Sequence, residues 1–384
     1  MKQLFLDNNS TTPIYPEVTE AMTQILNSVY GNPSSAHEAG RTAKILVEEA
    51  RLALKEFLGA SESSEIIFTS GGTEADNLAL SLLARNGSEK RHLITTRVEH
   101  EAIRKPAEKL QAEGCKLTWL DVDEFGNLDL TQLEESLSDE TGLVSIMLAN
   151  NETGVIFPVE EIGQIIKRKS RALFHVDAVN AVGKIPLSLS ESSIDLLSIS
   201  AHKMGGPKGI GALYVRDGVS IEPVMLGGKQ EHARRAGTEA VHQIVGFGVA
   251  ANISADLNPM ILVKILRDRL ESALLSRFPD ARVNGQIRES KRLPNTSNIS
   301  FPGLNGEVIL NLLDEQGIFV STGSACNSES KTASPVLSAM GVPFEYAMAS
   351  IRFSLGRSNT EDGINHATET IIQVIEKATI FVGR

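Results

Sequence analysis

Cysteine is almost missing from this chain: Cys115 and Cys326 are the only two in 384 residues. That excludes a disulfide framework, and two thiols cannot close a four-cysteine zinc or iron–sulfur site. An excess of basic charge is missing too. Lys and Arg number 37 against 48 Asp and Glu, a net charge of −11. Such a balance argues against a general binder of nucleic-acid backbones, although a local basic patch stays open. No apolar run approaches the ~18 residues of a membrane span, and the N-terminal MKQLFLDNNSTTP turns polar too soon for a signal peptide. Neither nucleic acid nor membrane is an expected partner, and the expected location is cytoplasmic. Repeats and low-complexity tracts are lacking, which sets a solenoid aside. With 41% hydrophobic and 22% charged residues the chain is not disordered either. What is left is a globular enzyme or binding protein.

At about 150 residues per domain the length allows two or three domains. Residues 42–58 space their apolar positions at three and four, predicting a helix that Gly59 ends. Strands are predicted at EIIF (65–68), HLITT (92–96), KLTWL, LVSIMLA (143–149), ALFHVDA (172–178), DLLSISA (195–201) and GALYV (211–215), with helices between most of them. That rhythm implies an α/β domain: a mainly parallel sheet flanked by helices. The pattern changes near Asn252–Pro259. Beyond it come a helix (261–277), a strand in SNISF, a helix (306–316), a strand in GIFVS and a terminal helix, an α+β arrangement. The expected division is a large domain at 14–255 and a smaller α+β domain formed by 1–13 and 256–384.

In an open α/β sheet, ligands bind beyond the C-terminal strand ends. After EIIF comes Ser70-Gly71-Gly72-Thr73, opening a helix. Glycines let the backbone approach an anion, and helix-start N–H groups with the Thr73 hydroxyl make a phosphate cradle; a plain capped helix start is the alternative. Asp177 ends ALFHVDA, where a buried carboxylate needs a cation, such as a pyridinium nitrogen, unless it is a cap or part of a structural salt bridge. DLLSIS runs into Ala201-His202-Lys203-Met204-Gly205-Gly206, placing Lys203 to form a Schiff base rather than to sit as a surface lysine. Cradle, buried Asp and strand-end Lys in that order are the parts expected for pyridoxal 5′-phosphate.

With these residues in view the sequence resembles the NifS/IscS-type cysteine desulfurases, within the class V aminotransferase group of PLP fold type I. The matching segments run in order from LDNNSTTP (6–13) through GNPSSAH (31–37), FTSGGTEADN (68–77), EHEAI (99–103), ANNETG (149–154) and HVDAVNAVGK (175–184). SAHKMGGPKGIGALYV (200–215), RRAGTEAVHQIVG (234–246), STGSACNS (321–328) and SIRFSLGR (350–357) complete the series. The resemblance implies that Lys203 holds the cofactor and moves protons, that Asp177 keeps the ring nitrogen protonated, and that His100 stacks on the ring and helps with proton transfer. Gly72, Thr73, Ser200 and His202 would bind the phosphate, and Thr238 the phosphate of the neighbouring subunit in a homodimer. Asn151 would contact cofactor and substrate, and Arg352 would clamp the substrate carboxylate. Cys326, among small polar residues in a loop at about 321–334, would be the travelling nucleophile that takes sulfur from L-cysteine as a persulfide, leaving L-alanine, for delivery to an acceptor such as an iron–sulfur scaffold. Taken singly, His100 is more often structural, Arg352 a salt bridge, and a cysteine a small buried hydrophobe, the reading favoured for Cys115.

Three departures from the family stand out. Asn180 occupies the place of a glutamine that donates to the cofactor's ring oxygen; one methylene shorter, it loses that contact, bridges it by water or restores it by a small shift. HKMGGPKG replaces the aromatic-containing HKIYGPKG, and GGKQEHARRAG replaces the more glycine-rich GGGQERGRRAG. The rival readings are a selenocysteine lyase, a class V aminotransferase, and a PLP-binding scaffold without activity. Transamination needs no mobile cysteine, so Cys326 argues against the aminotransferase.

Overall fold

The computed structural model describes residues 3–84, 90–285, 291–322 and 333–382. Seven strands form the main sheet, in the spatial order Ile66–Thr69, Gly211–Val215, Leu196–Ser200, Leu173–Asp177, Thr141–Ser145, His92–Thr96 and Lys116–Leu120. Only Gly211–Val215 runs against its neighbours; the other six point one way, so their C-terminal ends share one edge. Six of the seven strands are buried or nearly so on both faces, as a sheet covered by helices requires. The expected α/β layering is therefore present. The strand in the run LVSIMLA ends at Ser145, although the Ile146 and Leu148 N–H groups still donate to the His175 and Asp177 carbonyls. Met147 N–H, between them, donates to the Glu99 carboxylate.

Helix Glu38–Leu58 starts four residues before its apolar periodicity, because the His37 ring caps the Gly40 N–H, and it stops at Gly59, in the left-handed conformation at φ +62°. Helix Val241–Ser254 carries no amphipathic signal, being apolar nearly all round; it packs on helices Glu38–Leu58 and Pro16–Ser28.

A second apolar core gathers Leu4, Leu6, helix Asn258–Arg277, strands Thr296–Ser300 and Ser350–Ser354, helix Gly306–Glu315 and the terminal helix Glu361–Val382. Leu4–Phe5 joins it by pairing in parallel with Ile318–Phe319. Val336, Leu337, Met340 and Ala347 pack instead into the first core, which also holds Phe157 and Val159. The segment after Ala333 thus leans on the main sheet's layer. Among the described residues no single helix is long and apolar enough to cross a membrane.

Candidate active site

The strand ends converge on a cleft of ≈ 260 Å³ lined by Gly72, Thr73, His100, Asn151, Asp177, Asn180, Ser200, His202 and Lys203. Nine of the residues expected at the site are thus brought together, although they are drawn from five separate strand ends. Gly72 opens helix Gly72–Leu80. A Cβ there would lie 2.6 Å from Val179 Cγ2, so glycine permits the close approach of this turn to the loop after Leu173–Asp177. Ser200 is buried at the end of its strand. Lys203 follows in a single helical turn and donates from Nζ to the Asn9 carbonyl. His202 is held between the N-terminal segment and the sheet, its Nδ1 3.2 Å from Thr11 Oγ1. Burial, with Lys203, Lys208 and Lys184 nearby, pushes its pKa down to about 4, so it serves as a neutral hydrogen-bonding ring. His100 caps helix Glu101–Ala112, its Nδ1 accepting from the Ala102 N–H at 3.1 Å, which leaves Nε2 and the ring face for the cleft.

Asp177 is 6% exposed. Burial raises its pKa; His100, the Val179 N–H at 2.9 Å and Lys203 oppose the rise. Behind it lie two acids that sequence reasoning overlooked. Asp76, on the buried face of helix Gly72–Leu80, is pushed well up by burial and by the Asp177 charge. Glu99 is pushed up to about 8, mainly by burial, although Met147 N–H and Thr96 Oγ1 donate to it. The signal for Asp76 was an acid among Ala75, Leu78 and Ala79, where an apolar residue would be expected. Also buried is His175, whose Nδ1 and Nε2 lie 2.8 Å from Ser145 Oγ and 2.9 Å from Ser198 Oγ, and which burial keeps neutral with a pKa of about 3.

Arg352 stands outside the lining. Its Nη2 donates to Asp7 Oδ1 at 2.7 Å and to Ser10 Oγ at 2.6 Å, and its Nη1 to the Asn151 carbonyl at 3.1 Å. Nε is buried without a partner among the described residues. Ser10 and Asn151 carry the contact from Arg352 into the cleft. Thr238 is exposed and does not line the cleft of its own chain; three residues earlier, Arg235 pairs with Glu74 of the cradle helix at 2.8 Å. Cys326 lies outside the described residues. The chain on either side of its segment is anchored at the site: Ser321 exchanges backbone hydrogen bonds with Arg352, and Ser334 Oγ donates to Glu152 at 2.5 Å, next to Asn151. Cys115 is buried, its thiol pushed up by burial.

The altered motifs have visible compensations. Gly205 stands where the family more often has an aromatic, and Tyr15 fills that space: a Cβ on Gly205 would lie 2.1 Å from its ring. In GGKQEHARRAG, Glu231, His232 and Ala233 are all left-handed, with φ of +48°, +56° and +63°. The turn is held by Glu231, which is buried and paired with Arg51 at 2.7 and 2.9 Å while also accepting the Phe68 N–H.

A fold of this kind, with a lysine and a buried aspartate at neighbouring strand ends, defines a class. The chain belongs to the class-V aminotransferases, the family whose model matches residues 4–366. A cysteine desulfurase of Nostoc sp. is 50% identical over 379 residues, covering 98% of this chain and 94% of that protein. The cysteine desulfurase IscS of Methanosarcina thermophila is 44% identical over 380 residues, with 98% and 93% covered. A solved structure described as a NifS-like protein superposes with a TM-score of 0.92 at 39% identity, over 98% of this chain and all of that one. Within the class-V family the chain falls among the NifS/IscS-type cysteine desulfurases, of PLP fold type I.

The cleft suits a phosphate-bearing cationic ring. Gly72 leaves no room for a side chain at the cradle. Asp177 is an acid among acids that a positive partner would stabilise. Asn180 Nδ2 is a buried donor with no protein acceptor among the described residues. Among those residues no cluster of His, Cys, Asp and Glu is arranged to hold a metal ion.

Proposed function

We propose that this protein is a cysteine desulfurase that uses pyridoxal 5′-phosphate to convert L-cysteine to L-alanine, with the sulfur passing to Cys326 as a persulfide. The observation that carries this reading is the meeting of Lys203, Asp177 and His100 in one cleft, flanked on both sides by the anchors of the segment that contains Cys326. When bound, the cofactor supplies an electron sink that stabilises negative charge at the substrate α-carbon. The chain's own residues do the remaining work. Gly72, Thr73, Ser200 and His202 hold the phosphate, with Thr238 serving the partner's site in a homodimer; its exposure outside its own cleft supports that role. Asp177 holds a proton on the ring nitrogen. Lys203 anchors the cofactor and then, as a free amine, carries the α-proton. His100 would stack on the ring and offer Nε2 for proton transfer. Arg352, its guanidinium preset by Asp7 and Ser10, would orient the substrate carboxylate with Asn151. The Cys326 thiolate attacks the substrate sulfur: the Cβ–S bond breaks, an S–S bond forms, and the carbon skeleton takes up the proton and leaves as alanine. The persulfide is then passed to a sulfur acceptor, an iron–sulfur scaffold in this reading, in the cytoplasm, where thiols stay reduced.

We further assign two domains, 14–255 and 1–13 with 256–384, the cysteine segment belonging to the smaller, with Val336, Leu337, Met340 and Ala347 of that domain packing on the core of the larger. Cys326→Ser tests the function. The variant should retain cofactor, reducible by borohydride onto Lys203, yet build no persulfide and release little alanine. Cys115→Ser should behave as the parent does. Parental sulfur transfer by Cys326→Ser would overturn the reading in favour of a lyase or transaminase.

A further inference from the structure

Behind the cleft lies a cation that the chemistry above does not use. Lys184 is 7% exposed, and its Nζ donates twice to one residue: to the Asn180 carbonyl at 2.7 Å and to Asn180 Oδ1 at 3.1 Å. A lysine ammonium offers donors only, so this contact decides which way the carboxamide faces. The oxygen is taken by Lys184, and the nitrogen is left for the other side. Asn180 lines the cleft with Asp177, Ser200 and Lys203, and its Nδ2 is buried with no partner among the described residues. A buried amide donor left unpaired is costly, so its natural acceptor is the occupant of the cleft.

We propose that Lys184 is a positioning residue: by holding the oxygen of the Asn180 carboxamide it fixes Nδ2 as a donor aimed at an acceptor oxygen on the cofactor ring. The proposal rests on reading the cleft as a pyridoxal phosphate site. It resolves the puzzle of the shorter side chain. Asn180 reaches less far than glutamine, but it is gripped at both its oxygens, so little freedom remains to be lost when the donor engages. Burial, together with the charges of Lys203 and Arg352, pushes the Lys184 pKa well down.

The test uses binding to the apoprotein rather than turnover. Affinities for pyridoxal phosphate and for its 3-deoxy analogue, which lacks the ring hydroxyl, are measured by equilibrium dialysis. The preference for the hydroxylated ligand should fall about fivefold in Lys184→Met, the worth of one neutral hydrogen bond, and should recover in part in Lys184→Arg. An unchanged preference in Lys184→Met would overturn the proposal. Failure of the parent to bind either ligand would overturn the site reading itself, a different result. Should Lys184→Met not fold, Asn180→Asp decides the matter, since it keeps an oxygen for Lys184 but removes the donor. Its melting temperature should stay at or above that of Asn180→Leu, with the preference lost. A melting temperature clearly below that of Asn180→Leu would mean an unpaired buried carboxylate, and Lys184 would not be gripping residue 180.

Discussion

Gly205→Ala should destabilise the protein by about 2–5 kcal/mol, and much of that cost should disappear when Tyr15 is shortened. Gly205 lies two residues after Lys203 at φ +78°, and a Cβ built there falls 2.1 Å from Tyr15 Cε2 and 2.3 Å from Cζ. An alanine held left-handed costs about 1–2 kcal/mol. Forcing a methyl against this ring costs about 1–3 kcal/mol more. The Tyr15 backbone is pinned, its N–H donating to the Gly205 carbonyl at 2.9 Å, and the Arg357 guanidinium lies 5.8 Å from the ring centroid. In a Tyr15→Ala background only the backbone cost should remain, so the coupling between the two sites should equal the steric part. Urea denaturation of the four apoproteins, followed by circular dichroism and by the fluorescence of Trp119, gives the cycle. Apoprotein avoids stabilisation by bound ligand, and coincident transitions by the two probes license the free energies. If the two substitutions add within about 0.5 kcal/mol, Tyr15 is not the obstacle and the substitution of Tyr15 for the family's aromatic at 205 is refuted.

Ala233→Gly should stabilise the apoprotein by about 1 kcal/mol, because alanine there is held at φ +63°; a lower urea midpoint would contradict it. Glu231→Gln should cost about 3 kcal/mol by leaving Arg51 buried beside a neutral amide, read as a fall in the urea midpoint; a change below about 0.5 kcal/mol would show the pair to be dispensable. Glu99 is held near 8 in the fold against an ordinary value of 4.5. The folded carboxyl keeps a proton that the unfolded one has lost, so its contribution is complete below pH 4.5 and is lost as pH rises through 8. The apoprotein's melting temperature should therefore fall across this window, and less steeply in Glu99→Gln; parallel curves would reject the assignment.

Local chemistry made much of this protein readable before it folded. Strand runs ending in Ser-Gly-Gly-Thr, in Asp177 and in Ser200-Ala201-His202-Lys203 are short-range patterns, and a parallel sheet carries their ends to one edge whatever the loops do. The helix stop at Gly59 is equally local, since a left-handed residue is needed there and glycine supplies it. Other features depend on partners distant in sequence. That Gly211–Val215 runs antiparallel follows from its pairing with Ile66–Thr69, almost 150 residues away, and not from its own apolar run. Helix Val241–Ser254 escaped notice because a helix buried on nearly every side has no polar face to give it a period. Asp76 and Glu99 became neighbours of Asp177 only when three chain segments met. Tyr15 filling the space above Gly205, and the left-handed turn that Arg51 enforces through Glu231, are matters of packing and buried charge. Sequence reveals which residue types can do the chemistry; only close packing in three dimensions decides which of them share one cleft and which are buried beside it, and so which are obliged to pair.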